Sequence, residues 1–159
     1  MSLLTKKLWI LLLAAAVTVA ASPLRAADEE EEDPFYKGFY GSNILFLTQA
    51  NLSIGILGDA VAKKAYEGEL GVQVAGAHAQ MAAAAEGQYL EIAKSEGGEE
   101  DADLVKKMAK AASLIKDQSS AVVGIAKGDA AQGAVFGKAR EATEKLMAEI
   151  RKEISEILE

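Results

Sequence analysis

"VKKMAKAASLIKDQSSAVVGIA", residues 105 to 126, is the stretch that decides the fold. Val105, Met108, Ala112, Ile115, Ser119, Val122 and Ala126 recur in alternating steps of three and four, which an α-helix gathers into one stripe. Such a stripe is the seam by which a helix packs into a bundle. Its boundaries agree. Asp101 or Asp103 can cap the start, where Glu99 and Glu100 also complement the positive end of the helix dipole. At the other end, Gly128 in "AKGD" suits the left-handed residue just past a helix.

The neighbouring segments repeat the pattern. Downstream, Asp129 can cap a helix whose seam is Phe136, Ala139, Thr143, Leu146, Ile150, Ile154 and Ile157, with Lys152 and Glu156 paired across its wet face. Upstream, a second helix spans roughly Glu69 to Ser95 and stops at "SEGGEED". The first runs from about Ser42 to Tyr66, with Ser42 or Asn43 as its cap and Ile44, Leu47, Asn51, Ile54, Val61 and Ala65 as its seam. Its other faces are apolar too, through Leu45, Phe46, Leu52, Ile56 and Leu57, which predicts the most enclosed of the four helices. No proline follows Pro34. Four long helices joined by short connections predict an all-α, antiparallel up-down-up-down four-helix bundle over residues 42–159.

The N-terminus carries a different signal. Lys6 and Lys7 precede a 14-residue apolar run, Leu8 to Ala21, which is followed by Pro23. That order is a secretory signal peptide, and the run is shorter than the roughly 20 residues needed to span a bilayer. Cleavage after Ala26 is expected, giving a signal peptide over 1–26 and a periplasmic or secreted product without stable membrane insertion. Lys6, Lys7 and Arg25 leave with it, so 14 basic side chains face 24 acidic ones, a balance of −10. This charge opposes binding to nucleic acid or to an anionic membrane. The absence of cysteine excludes disulfides, thiolate metal sites and haem attached through C-x-x-C-H.

Residues 27–41 form an acidic and aromatic leader. "DEEEED", residues 28–33, reads as a solvated run without the turn glycine or ligand spacing of a calcium loop. Phe35, Tyr36, Phe39 and Tyr40 repeat at four-residue spacing, so a turn beginning at Pro34 stacks them in pairs. They can close one end of the bundle or dock a protein partner or a second copy of the chain.

His78 is the only histidine. If the connections are tight hairpins centred near residues 68, 98 and 128, it lies level with Gly58, with Gln118 or Ser119, and with Gly137 or Lys138. Two readings follow: a buried imidazole satisfied by hydrogen bonds, or a pocket in which small residues make room for haem and His78 supplies a ligand. Met81 lies one turn along the same helix and cannot bind the opposite face of a haem. No metal site is expected, since a di-iron carboxylate centre uses two Glu-x-x-His pairs and zinc needs three or four ligands. Periplasmic cytochrome b-type bundles share the export signal, the missing cysteines and the four helices, but the axial ligand pair is lacking, so no family is assigned. No nucleophile elbow, phosphate-binding glycine loop or catalytic triad stands out. The sequence therefore points to a non-catalytic bundle acting through protein contacts, with a haem or apolar-ligand carrier as the alternative.

Overall fold

The computed structural model describes residues 34–66, 68–95 and 101–158, with side chains from Gly38 to Ile157. The signal peptide, "DEEEED" and the side chains of Phe35 and Tyr36 lie outside the described residues. Four helices follow one another: α1 (Pro34–Ala62), α2 (Glu69–Ile92), α3 (Ala102–Ala126) and α4 (Gln132–Leu158).

Contacts between neighbouring helices run in opposite senses. Asn43 and Val61 of α1 meet Tyr89 and Gly71 of α2, while Lys116 of α3 bonds Glu86 of α2, whose Gly71 lies by Ala126. Lys107 and Gln118 of α3 pair with Glu153 and Thr143 of α4. Thr48 and Asp59 of α1 pair with Arg151 and Arg140 of α4. Each rising number on one helix meets a falling number on the next, so the bundle is antiparallel, up-down-up-down. Its cross-section is a rhombus. α1 and α3 touch each other and both remaining helices, whereas α2 and α4 do not meet among the described residues.

Within that shape the two helices of the short diagonal, α1 and α3, are not equally enclosed. α3 sits on the short diagonal, and Val105, Met108, Ala112, Ile115, Ser119 and Val122 of its predicted seam are all buried. α1 was expected to be the enclosed helix, and here the structure differs. Leu47, Ala50, Ile54, Leu57 and Val61 face inward, but α1 packs less extensively on α2 and α4 than α3 does, and Leu45, Leu52 and Ile56 face out. α1 also begins at Pro34 rather than Ser42, so the expected boundary at residue 42 falls inside a helix. Ser42 and Asn43 do not cap. Both bond back to the carbonyl of Phe39, as helix-interior residues do, and Pro34, lacking an N–H, fits a first helical position.

The connections use the residues their geometry needs. Gly68 (φ 70°) precedes α2 and Gly128 (φ 92°) follows α3, both in the left-handed region. Asp129 accepts from the Ala131 N–H at 3.0 Å, just ahead of α4. On the wet face of α4, Lys152 and Glu156 approach to 3.5 Å.

Candidate functional site

On α2 the buried positions Gly71, Ala75, Ala82, Ala85 and Tyr89 form a seam in steps of four and three, with His78 in its register. Its imidazole is half-buried, and Nδ1 is buried without a hydrogen-bond partner. Burial pushes the imidazole below its ordinary pKa of 6.5, which favours the neutral ring.

The structure does not bring the four residues of the expected ligand layer together. The Asn43–Tyr89 and Val61–Gly71 contacts are both centred on position 66, which sets His78 level with Ile54 instead of Gly58. A Cβ at Gly58 would lie 2.4 Å from Cζ of Phe136, so this glycine seats an aromatic ring of α4. Ser119 is fully buried and donates to the carbonyl of Ile115 at 2.8 Å. Gly137 is exposed, with open space where its Cβ would be. The volume that small residues were expected to leave for a haem is therefore divided between a packed phenyl ring and solvent.

A polar layer lies in the core where α1, α3 and α4 meet. Gln118, completely buried, donates from Nε2 to Asn51 Oδ1 at 2.9 Å and to Thr143 Oγ1 at 2.8 Å. Thr143 passes its own proton to the carbonyl of Ala139 at 2.7 Å. Oε1 of Gln118 has no partner. Such a layer fixes helix register, because sliding any one helix by a turn strands several buried polar groups. Tyr89 does the same between α2 and α1, donating to Asn43 Oδ1 at 2.8 Å.

The aromatic cluster splits. Tyr40 is buried, and Phe39 packs edge-on against it with ring centroids 5.3 Å apart, so these two help close the end of the bundle. Tyr40 is not available to a partner.

Sequence reasoning missed an exposed apolar stripe on α1. Leu45, Leu52 and Ile56 are 58 %, 58 % and 70 % exposed, and with Gln49 they follow each other by four, three and four residues along the outward face of α1. The signal was present in the sequence: a helix apolar on every side has either four covered faces or one uncovered stripe. Between Gly38 and Ala62 the only charged side chain is Asp59, which pairs with Arg140 at 3.4 Å. This segment, with a mean hydropathy of 1.5, is long and apolar enough to cross a membrane, although its inward face packs in the bundle core. On α3 and α4 there is also an open groove of about 650 Å³, floored by Leu114, Val123, Val135 and Ala142 and edged by Asp117 and Lys138.

Among the described residues no three His, Asp or Glu side chains converge as metal ligands. No known family model, curated protein or solved structure matches the chain.

Proposed function

We propose that this is an exported, non-catalytic bundle protein that works through contacts with protein surfaces, made by the outward face of α1. The observation that carries the proposal is the uncovered Leu45–Leu52–Ile56 stripe on a helix that has one charged side chain, Asp59, between Gly38 and Ala62. Isolated exposed leucines are ordinary, but three large apolar side chains along one outward helix face, with Gln49 between the first two, are costly to leave in water and mark an interaction face. The polar core residues support the non-catalytic part, since Gln118, Thr143, Asn43 and Tyr89 are engaged in bonds that join helices. The N-terminal sequence supports export to the periplasm or the medium.

Photo-cross-linking in producing cells tests this. A benzophenone side chain at position 52 is expected to give a discrete protein adduct, and one at position 117 on the charged stripe of α3 is not. Equal yields at both sites, or none at either, would remove α1 as the contact face. Export is checked by N-terminal sequencing of the periplasmic and medium fractions, with a start at Ala27 expected and an intact N-terminus in the cytosol contrary to it.

A further inference from the structure

His78 stands in line with the seam by which α2 packs, yet its buried Nδ1 has no partner. A neutral ring can carry its proton on Nε2 and leave Nδ1 bare, whereas a protonated ring must place a donor there. No opposite charge compensates it. Glu69 and Glu86, the nearest acids on α2, stand nine residues before and eight after it, more than two turns away. On α1 the one charged side chain from Gly38 onward, Asp59, reaches across to Arg140 of α4, and Lys63 and Lys64 lie in the exposed turn beyond. On α3, Lys110 and Lys116 act on Glu86, while Asp117 and Lys127 edge the groove shared with α4. Tyr89, the other titratable group of the α2 seam, bonds Asn43 three turns away. An imidazolium here is a cation with neither acceptor nor counter-ion, a cost that opening to water relieves.

The part of α2 that carries the imidazole is lightly anchored. Gly71, Ala75, Ala82 and Ala85 bury little apolar area beside the Leu, Val, Met and Ile side chains of the α3 seam. The polar ties of α2 to its neighbours, Glu86 to Lys116 and Tyr89 to Asn43, both lie beyond Ala85. Among the described residues no side-chain hydrogen bond or ion pair joins residues 69–85 to another helix.

We infer that His78 is a proton-operated latch, and that its protonation releases residues 69–85 from α1 and α3 while α3 and α4 stay packed. Release uncovers Val61 and Ala126, which lie against Gly71, and Ile54 at the level of the imidazole. In the open form the ring titrates at its ordinary 6.5, and in the closed form lower. The opening equilibrium is therefore independent of pH above 6.5, rises by up to about tenfold for each unit of fall below it, and levels off beneath the closed-form value. The latch is separate from the outward face of α1 and does not depend on it.

Hydrogen exchange read by mass spectrometry on the purified protein, from about pH 8 to about pH 4.5, tests the latch. With rates corrected for the intrinsic effect of pH, peptides from residues 69–85 should lose protection by up to about tenfold per unit below pH 6.5, and those from α4 should keep theirs. His78→Gln should abolish the dependence, and Glu86→Gln should leave it in place. Because His78 is the only histidine, its ring proton resonances in the unaltered protein report the titration directly, and a midpoint below 6.5 is expected. Protection that ignores pH, the same loss in His78→Gln, no loss in Glu86→Gln, equal loss in all four helices, or a midpoint at 6.5 or above would each overturn the latch.

Discussion

Gly58→Ala is the most informative single substitution for the packing of α1 on α4. Alanine in place of a mid-helix glycine ordinarily stabilises by about 1 kcal/mol. Here the added Cβ would stand 2.4 Å from Cζ and 2.7 Å from Cε2 of Phe136, well inside van der Waals contact, and the ring is buried with little room to move. Overpacking of this kind costs about 1–3 kcal/mol. The expected net effect is a loss of up to about 2 kcal/mol, which lowers the urea midpoint by up to about 1.3 M for a slope near 1.5 kcal/mol/M. Gly137→Ala is the control one residue beyond Phe136, with open space at its Cβ, and it should gain the full ~1 kcal/mol. Urea titrations followed by circular dichroism at 222 nm measure both. In a Phe136→Leu background, Gly58→Ala should become neutral or stabilising, a coupling of at least about 1 kcal/mol. Equal stabilisation by both glycine substitutions would show that α1 and α4 do not meet at this level.

Other outcomes follow from the buried polar groups. The folded state resists protonation of His78, so its share of stability is complete above pH 6.5 and is lost as the pH falls through the lowered value; His78→Gln should flatten the stability profile between about pH 7 and pH 5. Haemin titration should give no Soret band that depends on His78, and a shifted band that survives gel filtration and vanishes in His78→Ala would restore the carrier reading. Burial pushes the Tyr40 phenol up to about 12 and Tyr89 higher still. Their contribution is therefore whole below pH 10 and is lost as the pH rises through those values, an alkaline loss that Tyr89→Phe should reduce at a cost of about 1 kcal/mol near neutrality, measured by urea midpoints across pH. Gln118→Met removes a buried acceptor that has no partner but also takes the donor from Asn51 Oδ1 and Thr143 Oγ1, and should lower stability by about 1–3 kcal/mol. It should also lower the hydrogen-exchange protection of α1 amides, because the bond to Asn51 is lost; unchanged protection would show that the layer does not hold α1 in register.

The four helices were legible because their signals are local: seams in steps of three and four, glycines where the backbone turns left-handed, and an aspartate ahead of α4. Register between helices was not. A shift of the first hairpin's centre from 68 to 66 moved His78 by about one turn relative to α1, enough to separate it from Gly58, and the depth of Phe136 depends on how α1 and α4 close the ring, which no hairpin dictates. The rhombic cross-section is likewise invisible in a single chain's periodicity. Within it, the more extensive packing of α2 and α4 on α3 than on α1 encloses α3 and leaves α1, the more apolar helix, with a stripe in water. Tyr40 was placed near the right end of the bundle, but whether it closed that end or faced out turned on α1 beginning at Pro34 rather than Ser42.

Thiol labelling along α1 tests the central claim most directly, because the chain contains no cysteine to interfere. Single cysteines are introduced at each position from Ile44 to Leu57, and their reaction rates are measured in the folded protein, at concentrations low enough for it to be monomeric. The account predicts maxima at positions 45, 49, 52 and 56 and minima at 47, 50, 54 and 57. A flat profile, or maxima displaced onto Leu47 and Ile54, would contradict it.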